Sequence, residues 1–105
     1  MIWYEHLFLG KKCRKNFGRL KHKITNRQAH SGVYLIVLPE NEHALLEIIP
    51  SMLLVQEYYP AKDLRIVGAA ATRREAFSLV EKILGNVYKS RGNVNEIASY
   101  LEQYR

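Results

Sequence analysis

Residues 11 to 27 hold Lys11, Lys12, Arg14, Lys15, Arg19, Lys21, Lys23 and Arg27 with no acid among them. A row of ammonium and guanidinium groups on one element neutralises phosphates and releases their counterions, which is the chemistry of salt-dependent nucleic-acid binding. An ordinary solvated helix face has the same composition, and no base-reading side chains or docking motif accompany this one. The eight are half of the sixteen basic residues. The other eight share the remaining chain with all ten acids, so the net charge of +6 is concentrated in one stretch. Such lopsidedness implies attraction for an acidic partner, nucleic acid or an acidic protein. An anionic membrane surface fits less well, because the apolar seam of this segment is too narrow for an interfacial helix.

A second, weaker candidate is the stretch G-A-A-A-T-R-R at 68–74, where a strand is expected to pass into a helix. Small residues let a ligand approach the backbone, a helix start offers free amides, and Thr72, Arg73 and Arg74 could hold an anion such as phosphate. Neither the G-x-G-x-x-G nor the G-x-x-x-x-G-K-[ST] pattern is present, and tight strand-to-helix packing explains the alanines equally well.

No catalytic residue, metal ligand or cofactor is assigned. His6, His22, His30 and His43 include no pair at i, i+4, and nothing local places a base beside Cys13. That cysteine falls in an apolar seam and reads as a small buried hydrophobe. Glu5, Glu47 and Glu57 lie near strands or loops, without a sign that two of them meet for acid–base work. The seven tyrosines include Tyr58, Tyr59, Tyr88, Tyr100 and Tyr104 near expected element ends, a placement that suits a protein contact or a homodimer as well as the rim of a small core.

The elements that must position these residues follow from periodicity. Residues 2–9, rich in aromatic and branched types, suggest a strand ended by Gly10. Cys13, Phe17, Leu20 and Ile24 fall four, three and four apart, the seam of a basic helix that Gly18 would fray. V-Y-L-I-V-L, between Gly32 and Pro39, reads as a strand covered on both faces or a central strand. After a turn at 40–43, A-L-L-E-I-I-P forms a second strand, or a short helix started by Asn41, with Ile48, Ile49 and Pro50 favouring the strand. Ser51 could cap two helical turns ending by Tyr58.

The clearest unit spans 63–91. A strand over 64–69 feeds a helix opened by the capping box Thr72…Glu75, with Ala76, Phe77, Val80, Ile83, Leu84, Val87 and Tyr88 on its expected buried side and Gly92 as its stop. Asn93 and Glu96 repeat the cap spacing before a last helix with Val94, Ile97, Ala98, Leu101 and Tyr104 on its apolar face and Tyr100 off it.

With 105 residues the chain is expected to be a single domain, 1–105, large enough to fold without a staple. The expected fold class is α+β, a two-layer arrangement of a three- to four-stranded mixed sheet with two to three helices packed against it. One cysteine, no apolar run of spanning length and an N-terminal M-I-W-Y-E-H-L-F-L-G without a basic leader place it in the cytoplasm, away from membrane.

W-Y-E-H near the start, G-V-Y-L-I-V-L-P followed by L-L-E-I-I-P, and D-L-R-I-V-G before a helix resemble a family of small uncharacterised bacterial α/β proteins. The resemblance spans most of the chain and rests on structural motifs. It implies a fold and carries over no functional residue.

The expected function is therefore a non-enzymatic module that binds a polyanion, with nucleic acid as the leading example, through 11–27. The alternative is an interaction or homo-oligomeric assembly module using the terminal helices and tyrosines. A third reading is a small-anion binder at 68–74.

Overall fold

The computed structural model describes residues 1–40, 44–56 and 59–105. The expected turn at 40–43, the helix start at Asn41, and His43, Glu57 and Tyr58 fall wholly or partly outside that set. Strand β1 spans Ile2–Leu9, followed by helices α1, Lys11–Lys15, and α2, Phe17–Thr25. Strands β2, Tyr34–Leu38, and β3, Glu47–Pro50, precede a 3-10 segment at Ser51–Val55. Strand β4, Arg65–Ala70, leads into α3, Arg73–Arg91, and the chain closes through a 3-10 turn at Val94–Glu96, helix α4, Ile97–Leu101, and a last turn at Glu102–Tyr104.

The four strands lie in the order β1-β4-β2-β3. β1 runs parallel to β4, while β2 is antiparallel to both β4 and β3. This is a mixed sheet in an α+β fold, as its sequence implies. Within residues 45–49 the strand alternative holds from Glu47 onward, since Leu35 faces Ile49 and Val37 faces Glu47 in register, while Leu45 and Leu46 precede the strand.

The layering differs from the two layers expected. Leu35 and Val37 pack in one buried cluster with Cys13, Ile24 and Leu54, whereas Ile36 and Leu38 pack in another with Ile83, Val87 and Leu101. Successive side chains of a strand point to opposite faces, so the sheet is covered on both: α1, α2 and the Ser51–Val55 segment on one side, α3 and the C-terminal helices on the other. The unbroken apolar run of β2 needs this second cover.

Three local expectations are corrected. The basic helix is interrupted at Asn16, which has φ −128° and ψ 28°, and not at Gly18, which lies inside α2. Ser51 belongs to its 3-10 segment and does not cap a helix; its hydroxyl accepts from the Val33 amide at 3.0 Å. On the helical faces, Phe77 and Tyr88 are 52% and 62% exposed, while Tyr100, expected off the apolar face, is buried and Ala98, expected on it, is exposed. Phe77 and Tyr88 share one edge of the α3 stripe, three turns apart; Ala76, Ile83 and Val87 at its centre are fully buried, and Val80 and Leu84 pack half-buried against the same core.

Candidate polyanion interface

Gly10 continues the β1–β4 ladder by donating to the Ala69 carbonyl at 2.8 Å, and its own carbonyl accepts from Cys13 and Arg14 to open α1. The basic helices therefore begin at the C-terminal end of the parallel pair, beside the start of α3. Cys13 and Ile24 are buried against the sheet and Phe17 and Leu20 half-buried, which fixes the seam inward and turns the other positions outward.

One outward line, at 12, 16, 19 and 23, follows helical spacing. Lys12, Asn16, Arg19 and Lys23 form one side of a groove of about 280 Å³ whose opposite side is the 30–33 segment and Ala71, with Leu20 and Val33 among its apolar lining. Among the described residues no ion pair joins any cation of 11–27 to a carboxylate; the recorded pair is Arg105 with Glu102 at 3.6 Å. Three basic side chains thus line one concavity with no ion pair to a carboxylate among the described residues, and the Glu75 carboxylate, bonded to the Ala71 amide and acting on Cys13, lies beside it.

The other five cations are placed differently. Lys11 and Lys15 are exposed on α1. Lys21 lies over the Trp3 ring, 5.7 Å from its centroid, and Trp3 in turn donates its indole N–H to the Thr25 hydroxyl at 3.1 Å and meets Phe17 edge-on. Arg14 Nε donates to the Leu9 carbonyl at 3.2 Å. Arg27, at the left-handed φ of 53°, reaches across to the carbonyls of Gln56 and Tyr59. Its guanidinium ties the end of α2 to the segment after the 3-10 turn, which is a structural duty. The structure therefore gathers three of the eight cations in the groove, leaves two beside it on α1, and engages three with the protein itself. Sequence reasoning missed Asn16, Ser31 and the 30–33 wall, because nothing local signals that a polar linker will fold over a helix.

The 68–74 turn is internally satisfied. Thr72 Oγ1 accepts from the Glu75 amide and Glu75 Oε1 accepts from the Ala71 amide, each at 3.1 Å. The carboxylate stands where an external anion would need to approach, while Arg73 lies over the Phe77 ring, 6.0 Å from its centroid, and Arg74 is exposed.

Reactive groups are sealed. Burial, and secondarily the Glu75 carboxylate, pushes the Cys13 thiol above its ordinary pKa, the reverse of what activates a nucleophile. His30 and Ser51 resemble a base and nucleophile, with Nε2 2.7 Å from Oγ. The Gln28 carbonyl can only accept, so Nδ1 carries the proton and Nε2 accepts from the serine hydroxyl. Ser51 is fully buried, and the pair serves to hold the 30–33 segment against the 3-10 turn. Among the described residues no three His, Cys, Asp or Glu side chains converge as a metal site, and no helix is long and apolar enough to cross a membrane. Comparison with family models, with curated proteins and with solved structures yields no match for this chain.

Proposed function

We propose that this chain is a non-enzymatic, cytoplasmic module that binds a polyanionic partner, nucleic acid first, through the outward face of residues 11–27. The observation that carries this reading is the convergence of Lys12, Arg19 and Lys23 on one groove with no carboxylate paired to them among the described residues. Lys11 and Lys15 extend the positive surface along α1, where they add long-range attraction rather than geometry. Titrating random duplex and single-stranded nucleic acid at several salt concentrations tests it. Affinity that falls steeply with salt is expected, and absence of affinity at low salt removes the reading.

A second reading is supported by a different observation. Phe77 and Tyr88 stand exposed on one edge of α3, a placement suited to a protein contact or a homodimer. Light scattering over a concentration series separates this assembly role from the first. The third reading, a small anion at 68–74, has less in its favour because Glu75 already engages the Ala71 amide.

A further inference from the structure

We propose that the groove beside α1 and α2 takes a phosphate monoester carried on a flat, partly apolar group, specifically the terminal phosphorylated nucleotide of a nucleic-acid strand. This rests on the polyanion reading above and gives it a defined ligand. A solvated basic face attracts phosphates through a convex, extended surface, whereas Lys12, Arg19 and Lys23 line a concavity. Its volume of about 280 Å³ lies near the lower limit of small-ligand pockets, the scale of one nucleotide rather than of a duplex segment.

Charge and lining point to the same ligand. A phosphate monoester carries about −1.5 to −2 at neutral pH, against a single negative charge for each internal phosphodiester, so three converging cations favour the strand end. Arg19 offers a planar fork able to bind two phosphate oxygens at once, and Lys12 and Lys23 supply compact charges on either side of it in sequence. Leu20 and Val33 provide apolar surface for a base or sugar edge. His30 contributes shape alone, since Gln28 and Ser51 occupy both its ring nitrogens.

The test measures fluorescence anisotropy with one single-stranded oligonucleotide prepared with a 5′-phosphate, a 3′-phosphate or hydroxyl ends, at low salt. One phosphorylated form should bind at least about tenfold tighter than the hydroxyl form. That preference should vanish in Lys12→Gln with Lys23→Gln and persist in Lys11→Gln with Lys15→Gln, all variants melting near the wild-type temperature. Equal binding of the three oligonucleotides overturns this inference and leaves the polyanion reading intact. No binding by any of them overturns both. Competition by free adenosine monophosphate at the same concentration as the phosphorylated strand overturns the strand-end assignment in favour of a free nucleotide.

Discussion

The side chain of Glu75 folds back over Gly10, and its carboxylate occupies the space that a β-carbon on residue 10 would need. Gly10 has φ −67° and ψ 158°, an ordinary extended conformation, so alanine meets no backbone strain there. Its cost is the displaced carboxylate and the Ala71 amide left without an acceptor. Gly10→Ala should lower unfolding free energy by about 1–2 kcal/mol, and the loss should shrink when Glu75→Ala has already removed the obstacle. Urea unfolding of the two single variants and the double variant measures the coupling. Full additivity would disprove the contact.

Three other glycines should respond in different directions. A β-carbon on Gly68 would sit 2.5 Å from the Phe8 carbonyl oxygen, which is backbone and has little freedom to move, so Gly68→Ala should destabilise more than Gly10→Ala. Gly85, inside α3, has nothing near its missing β-carbon, and Gly85→Ala should stabilise by about 0.5–1 kcal/mol through helix propensity. Gly92, at φ 73°, should lose about 1 kcal/mol on the same change. Thermal melts rank the three.

Arg27 and the groove lysines should separate stability from binding. Arg27→Ala deletes donors to the Gln56 and Tyr59 carbonyls and should lower stability by about 1–3 kcal/mol with little change in nucleic-acid affinity. Lys12→Ala with Lys23→Ala should do the opposite. Parallel melting and binding measurements check both, and a binding defect in a fully folded Arg27→Ala protein would return that residue to the interface.

Cys13 should be unreactive at neutral pH and contribute to an alkaline loss of stability. Its thiol titrates higher in the folded protein than in the unfolded chain, chiefly through burial. The unfolded chain therefore gives up its proton first as pH rises. This contribution is fully present below the unfolded thiol's pKa of about 9 and is lost as pH rises through the folded one. Slow iodoacetamide labelling at pH 7 and a flatter alkaline stability curve for Cys13→Ala are expected. Rapid labelling of the folded protein would contradict the burial.

Much of the scaffold is legible in the sequence because it depends on local chemistry. Thr72, Glu75 and Gly92 mark the bounds of α3 through hydrogen bonds a few residues long, and the run 33–38 declares a strand buried on both sides. The break at Asn16 and the exposure of Phe77 and Tyr88 carry no local signal of that kind. The candidate interface is half legible for the same reason. The density of cations on 11–27 is plain in the sequence, but their division is a tertiary result: Lys21 finds Trp3, Arg27 finds carbonyls about thirty residues away, and Lys12, Arg19 and Lys23 acquire a facing wall at 30–33.

The salt dependence of single-stranded nucleic-acid binding by wild-type protein and by the Lys12→Ala, Arg19→Ala, Lys23→Ala triple variant tests the central claim most directly. Three groove cations predict a log–log slope shallower by about 2 in the variant, together with weaker binding at low salt. Superimposable curves for the two proteins, or no binding by the wild type, would contradict it.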